Sequence, residues 1–314
     1  MSSDKPTQTE ARLRSIDLIG LLLLALPPLF WAGNFIAGRA MQGTVPPMAL
    51  SFWRWVIALI VLLPFGLAAM RRDLAKYWAY RWRIIAISIT GVFAFNSLVY
   101  AGLQTTTASN GLLLNSFIPI LVVLFAALFY GQRISAGQAC GLALSFAGVL
   151  TIIMHGDWTR LIALTFSTGD LIIFCAMISW AFYTLWLRGI PADINRVGLL
   201  IVQIIVALFL LVPLYLWERA SGAETIINAH SLAALAYIGL FPSVIAYLLY
   251  NFAVARLGAA QAGLSIHLMP MFGVVLAIIF LDETIHLYHV IGISAIIFGI
   301  VIASRKKAVR AKAA

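Results

Sequence analysis

Long apolar runs alternate with short polar stretches along the whole chain. Bounded by charges and turn residues, the runs cover 16–40, 47–69, 83–104, 108–130, 135–154, 169–188, 197–217, 232–255, 259–281 and 287–304. Each is close to the ~20 residues that a helix needs to cross a bilayer. Backbone in lipid must satisfy its own hydrogen bonds, so all ten are expected to be helices. The prolines inside them (Pro27, Pro28, Pro64, Pro119, Pro213, Pro242, Pro270) are then expected to mark kinks rather than ends. The fold class that follows is an all-α membrane protein with ten transmembrane helices.

Composition agrees and narrows the picture. Of 314 residues, 63% are hydrophobic and 10% charged, which leaves too little polar surface to coat a water-facing exterior. Ten spans leave short loops and no room for a soluble domain. Lys5, Arg12 and Arg14 precede an apolar stretch from Ile16, as in a signal peptide. That stretch runs on through Trp31 to Ala40, far beyond a typical signal core, so it is read as the first span. Cys140 and Cys175 both sit inside apolar runs, and no disulfide framework is visible.

The net charge of +10 would raise the question of nucleic acid in a soluble protein. Here the position of the charges answers it. With the N-terminus in the cytoplasm, Arg71, Arg72, Lys76, Arg81, Arg83, Arg133, Arg188, Arg196, Arg256 and the cations of both tails fall inside, seventeen of the 21 in all. Arg39, Arg160 and Arg219 fall outside, and Arg54 lies within the second span. The imbalance predicts both termini on the cytoplasmic side of a bacterial-type inner membrane, and no nucleic-acid partner.

Sliding the chain along itself by 151 residues brings Ala108 onto Ala259, Pro119 onto Pro270, Gly141 onto Gly292 and Gly148 onto Gly299. A shift of 149 aligns Gly20 with Gly169, Trp31 with Trp180 and Arg39 with Arg188. The chain thus reads as two repeats, 1–154 and 155–314, of five spans each. An odd number of spans places the repeats in opposite orientations, the arrangement of alternating-access carriers.

In combination, Trp31-Ala32-Gly33-Asn34-Phe35, Phe52-Trp53-Arg54-Trp55, Asn110 through Pro119, Gly169-Asp170, Ser179-Trp180-Ala181 and Pro270 leading to Asp282-Glu283 resemble the drug/metabolite transporter superfamily, in particular its ten-span EamA-type exporters. Members include amino acid exporters of the YddG type and carriers of drugs, nucleotide sugars and phosphorylated sugars. The resemblance implies small-molecule transport, an exporter with no cofactor, and leaves the substrate open. One departure stands out. Gly131-Gln132-Arg133 occupies a place where such proteins often carry Gly-Glu-Arg, and the acid survives only in the second repeat, as Glu283.

Polar residues inside the spans are the candidates for a substrate site. Asn96, Tyr100 and Gln104 form a stripe on one face of the third span, and Ser243, Tyr247, Tyr250 and Asn251 answer it in the eighth. At the 151-residue shift Asn96 matches Tyr247 and Tyr100 matches Asn251. Such stripes must face protein or water, and here they are read as lining a central cavity; interhelical hydrogen bonding is the alternative. Trp31 and Asn34 in the first span, and Trp180, Tyr183 and Thr184 in the sixth, add an aromatic and a polar group from each repeat, suited to apolar or aromatic substrates. Trp31 and Trp180 serve equally well as packing residues.

Asn110, Gly111, Asn115 and Pro119 in the fourth span correspond to Gly263, His267 and Pro270 in the ninth. Proline there leaves a backbone carbonyl without its helical partner. Arg54 is expected about 10 Å below the outer boundary, either holding a substrate carboxylate or, the preferred reading, bonding neighbouring carbonyls with Trp53 and Trp55 at the interface. His267 is expected to be a neutral hydrogen-bonding residue, with no Cys, Asp or Glu at metal-ligand spacing.

None of the eleven acids falls mid-span, so ion coupling through a central carboxylate is not expected. An intramembrane enzyme acting on lipid-linked substrates would need acid/base groups at the boundary. Only Asp282, Glu283, His286 and His289 come close. The reading is therefore an exporter of small metabolites, amino acids first, with apolar and aromatic ones included; other metabolites or drugs are the alternative. Its partners are the substrate and the lipid bilayer, with no obligatory protein partner visible.

Overall fold

The computed structural model describes residues 8–157, 159, 167–281 and 284–304. Lys5, Arg160, Asp282, Glu283 and the C-terminal cations lie outside the described residues. Ten helices are long and apolar enough to span a membrane: α1 (Leu22–Ala40), α2 (Pro47–Arg72), α3 (Arg81–Gly102), α4 (Asn110–Tyr130), α5 (Ala136–Ile153), α6 (Thr168–Leu187), α7 (Arg196–Ala220), α8 (Ala229–Leu257), α9 (Ala259–Leu276) and α10 (Leu287–Ser304). They form two inverted five-helix repeats. A short helix, Leu74–Ala79, bridges α2 and α3.

Helix starts follow local chemistry. Ser135 opens α5 and Ser167 opens α6 with capping boxes, each hydroxyl accepting an N–H three residues on while Gln138 or Asp170 returns the bond. Asn195 caps α7 and Asn228 caps α8.

The spans are less regular than the sequence suggests. Continuous helices are expected over 108–130 and 259–281, yet α4 breaks after Asn115 and resumes at Ile118, while α9 passes through a 3₁₀ turn at Ser265–His267. Pro119 sits in the first turn of the resumed helix, where its missing N–H costs nothing, so it marks a start and not a kink. A π-helical segment occupies Ser88–Ala94 in α3, and another occupies Phe241–Ile245 in α8. Shifted by 151 residues the two overlap, so each repeat carries the same distortion.

The repeats interlock. α1 packs against α8 and α9 while α6 packs against α3 and α4, so the first helix of each half is held by the third and fourth of the other. α2 lies along α7, and α5 along α10. In the α5–α10 pair the small residues of both repeats meet: a Cβ on Gly148 would lie 2.6 Å from the Gly292 carbonyl oxygen. Such glycines let transmembrane backbones touch.

Most of the described basic residues mark one end of the bundle, called here the basic end, where Lys76 pairs with Asp193 (2.6 Å) and Arg83 donates to the Gly189 carbonyl (2.6 Å). At the opposite end Arg39 donates to the Leu103 carbonyl and Gln42 to that of Gln104, both at 2.7 Å.

Candidate functional site

The two repeats meet at a pseudo-two-fold axis near the middle of the bundle, and equivalent residues face each other across it. Trp31 and Trp180 stand edge to face with centroids 5.1 Å apart. Asn96 Nδ2 donates to the Tyr247 hydroxyl at 2.9 Å. His267 Nε2 bonds the Ser116 carbonyl at 2.9 Å, and those two positions are also 151 apart. Carbonyls around the π segments are taken up by site residues: Trp31 Nε1 donates to Pro242 O and Trp55 Nε1 to Val92 O, both at 3.1 Å, while Tyr247 donates to Gly91 O at 2.6 Å.

The symmetry extends to individual bonds. Tyr100 donates to Asn34 Oδ1 at 2.8 Å; in the other repeat Tyr183 donates to Asn251 Oδ1 at 2.6 Å. The same contact is made with Asn and Tyr exchanged between helices. Tyr250 and Thr184 share a hydroxyl–hydroxyl bond of 2.8 Å.

A cleft lies on this axis. Trp31, Asn34, Asn96, Asn115 and Trp180 line it with Phe35, Phe95, Ile118, Ile266 and Met269. Its free volume is about 10 Å³, room for roughly one water. Tyr100, Tyr183, Tyr247, Tyr250 and Asn251 are buried behind it, Tyr183 bonded to Asn251 and the other tyrosines to Asn34, Arg54, Asn96, Thr184 and the Gly91 carbonyl. In this conformation the polar stripes knit helices, and Asn96 is the member of the α3 stripe that reaches the cleft. Gln104, also on that stripe, sits half-buried at the end opposite the basic one.

Three expected residues stand elsewhere. Asn110 lies near the end opposite the basic one, where its amide approaches Asp170 (3.4 Å), itself bonded to Thr106 (2.5 Å). His267 is buried between Ser116 and the Ser145 hydroxyl, with both ring nitrogens engaged. Trp55 is expected at the interface with Trp53, but it is 0% exposed because α2 turns its ring to the core, where its Nε1 donates to Val92 O, its ring packs on Tyr247 and the Arg54 guanidinium lies 4.9 Å over it; Trp53 remains partly exposed.

Arg54 itself is 1% exposed. Its Nε donates to Ser243 Oγ (2.8 Å), and its Nη1 donates to Asn96 Oδ1 (2.7 Å), Tyr100 Oη (2.6 Å) and, more weakly, Asn34 Oδ1 (3.5 Å). One guanidinium therefore ties α2 to α1, α3 and α8.

Sequence reading missed the larger space. A cavity of about 470 Å³ opens at the basic end among α4, α5, α6, α9 and α10, with Gln132, Gln138, Arg188 and Gln261 among its polar lining. Its inner wall includes Pro119 and Leu264, next in the chain to cleft-lining Ile118 and near Ile266. No periodicity could reveal it, because five helices contribute one or two turns each. Gln132, the residue standing in place of the usual acid, is part of this vestibule. Among the described residues no group of His, Cys, Asp and Glu has metal-binding geometry.

Comparison with known proteins places this geometry in context. The EamA-like transporter family matches the chain twice, over residues 18–154 and 167–305. The chain is 25% identical to the uncharacterized transporter YyaM of Bacillus subtilis, over 88% of this chain and 90% of that one. It is 26% identical to a probable terminal-alkyne amino-acid exporter of Streptantibioticus cattleyicolor, over 90% and 92%. A crystal structure superposes with a TM-score of 0.71 at 20% identity, over 92% of this chain and 96% of that one, a likeness of fold.

Proposed function

The chain belongs to the EamA-like transporter family and is a membrane transporter, not an enzyme; from that premise we propose that it exports small metabolites, amino acids first among them, across a bacterial-type inner membrane. The observation that carries this reading is the meeting of Trp31 with Trp180 and Asn96 with Tyr247 on the axis between inverted repeats, in a narrow cleft, with a vestibule at one end. Alternating access needs such a site, since each repeat can reproduce the geometry of the other with the opposite face open. The basic end is read as cytoplasmic from its cations, so the vestibule is the inward mouth and the repeats 1–154 and 155–314 are the moving halves. The relative described as a probable terminal-alkyne amino-acid exporter favours that substrate class. Aromatic walls with neutral polar groups suit weak, broad binding of apolar and aromatic side chains.

The test is counterflow. Purified protein in liposomes preloaded with an unlabelled amino acid should transiently concentrate the labelled one, first phenylalanine and leucine. A carrier shows the overshoot; a pore gives simple equilibration. Absence of overshoot for every amino acid, with overshoot for another metabolite or a drug, overturns the amino-acid assignment and keeps the carrier.

A further inference from the structure

Arg54 is a buried charge without a counter-charge among the described residues. All its hydrogen-bond partners are neutral: a serine hydroxyl, two asparagine carbonyls and a tyrosine hydroxyl. The ion pairs among the described residues join Arg72, Lys76, Asp73 and Asp193 at the basic end, and none involves Arg54. Neutral dipoles spread a buried charge over several groups but leave its sign, and a charge held inside a membrane protein marks a functional position. Guanidinium stays protonated at every working pH. The middle of the protein therefore holds a permanent positive charge.

That charge stands directly behind the cleft wall. Asn34 and Asn96 both bond Arg54 and both line the cleft. The bonds also orient these amides. Asn96 turns Oδ1 to the guanidinium, so its Nδ2 points to Gly91 O, Val92 O and Tyr247. Asn34 uses Oδ1 for Arg54 and Tyr100, which leaves its Nδ2, with no protein partner among the described residues, as a donor on the cleft side. A cleft with an N–H donor at its wall and a guanidinium behind it attracts an anion.

The second repeat has no match for the charge. At the 149-residue shift Pro64 falls on Pro213 and Arg54 falls on Gln203. Gln203 is 0% exposed, and neither its Oε1 nor its Nε2 has a hydrogen-bond partner. Asn34 and Tyr100 have their exchanged counterparts in Tyr183 and Asn251, so the network was kept in both halves while the cation stands in one. The cleft is thus electrostatically one-sided.

We infer that the Arg54–Asn34 face binds the carboxylate of the transported substrate, so that this carrier takes amino acids and other organic acids and rejects the corresponding amines. The inference rests on the transport reading above and adds the charge that a substrate must carry.

Three probes that share a phenyl ring separate the charges: L-phenylalanine, phenethylamine, which lacks the carboxylate, and 3-phenylpropionate, which lacks the ammonium. In counterflow inhibition the two carboxylates, L-phenylalanine and 3-phenylpropionate, should each compete at least 10-fold more strongly than phenethylamine. Arg54→Gln, which gives the first repeat the residue of the second, should raise the half-saturating concentration of both acids at least 10-fold and leave that of the amine unchanged. Asn34→Asp places an internal carboxylate beside Arg54 and should cause the same loss while thermal stability is kept or increased. A purely structural Arg54 predicts the opposite for Asn34→Asp, unchanged acid selectivity. Equal inhibition by amine and acids in the wild type overturns the inference, as does an Asn34→Asp protein that keeps the acid preference. Thermal stabilisation of the detergent-solubilised protein by each probe reads the same preference without transport, so absence of flux overturns the transport reading while the acid-over-amine order still decides this one.

Discussion

Tyr247 shows how one side chain serves both repeats. Its hydroxyl donates to the Gly91 carbonyl at 2.6 Å and accepts from Asn96 at 2.9 Å, while its ring meets those of Trp31, Trp55 and Trp180. Tyr247→Phe keeps the ring and removes both bonds. Asn96 retains its bonds to Gly91 O and Val92 O, so the loss is confined to the hydroxyl. Hydrogen bonds between membrane helices are individually modest, so a destabilisation of about 1 kcal/mol is expected, together with a several-fold slower counterflow because the contact joins the two halves at the axis. Thermal unfolding in detergent and initial counterflow rates check it; an unaltered rate would mean that the bond is incidental to the cycle. Asn96 and Tyr247 were legible in the sequence because helical spacing and the 151-residue shift pick out the same positions twice. Trp55 was not, since a tryptophan beside a charge near a span end has the same local pattern whether it faces lipid or core, and only the rotation of α2 decides.

Among the elements, α2 and α7 are joined by reciprocal carboxylates. Glu218, in the last turn of α7, accepts the Met48 and Ala49 N–H groups at the start of α2, at 3.0 and 2.7 Å. Asp73, just past α2, accepts the Asn195 N–H at 3.0 Å where α7 begins. Each carboxylate thus meets the positive end of the other helix, where exposed N–H groups favour an anion. The hydrogen bond from Arg72, followed by that of Asn195, holds the Asp73 carboxyl below its ordinary value of 3.8. A group whose native pKa is lowered contributes stability that is complete above its unfolded value and is lost as pH falls through the native one. The protein is therefore expected to lose stability as pH drops below about 4, and Asp73→Asn to flatten that limb of a pH–melting-temperature profile. An unchanged acid limb in the variant would assign it to other carboxylates. The number and order of spans were readable from apolar runs, but these caps were not: Asp73 and Glu218 look like ordinary loop acids until a helix start more than a hundred residues away is brought beside them. The π segments escaped for a similar reason, as Ser88–Ala94 contains no proline and its sequence is that of an ordinary span.

At the scale of the whole molecule the inverted repeat was legible because glycines and prolines keep their spacing, whereas the vestibule and the narrowness of the cleft depend on how the halves are tilted, which no local pattern records. The tilt bears on energy coupling. A driving ion must bind one state of the cycle better than the other, and in a low-dielectric site this takes an ionisable or chelating group. Among the described residues the cleft lining offers none: its polar members Asn34, Asn96 and Asn115 are amides. Asp170 and Glu218 lie at helix ends and are bonded to Thr106 and Ser167 and to the α2 start respectively. His267 has Nε2 on the Ser116 carbonyl and Nδ1 on the Ser145 hydroxyl, so both ring nitrogens are occupied by protein contacts that join α9 to α4 and α5. Transport is therefore expected to run down the substrate gradient without obligatory exchange of protons or sodium. The measurement is flux into proteoliposomes with an imposed pH or sodium gradient and equal substrate on both sides. No net accumulation is expected. Uphill accumulation abolished by a protonophore would defeat the prediction, and its loss in Glu283→Gln or in His267→Ala would identify the coupling group, the latter acting from the joint between α4, α5 and α9.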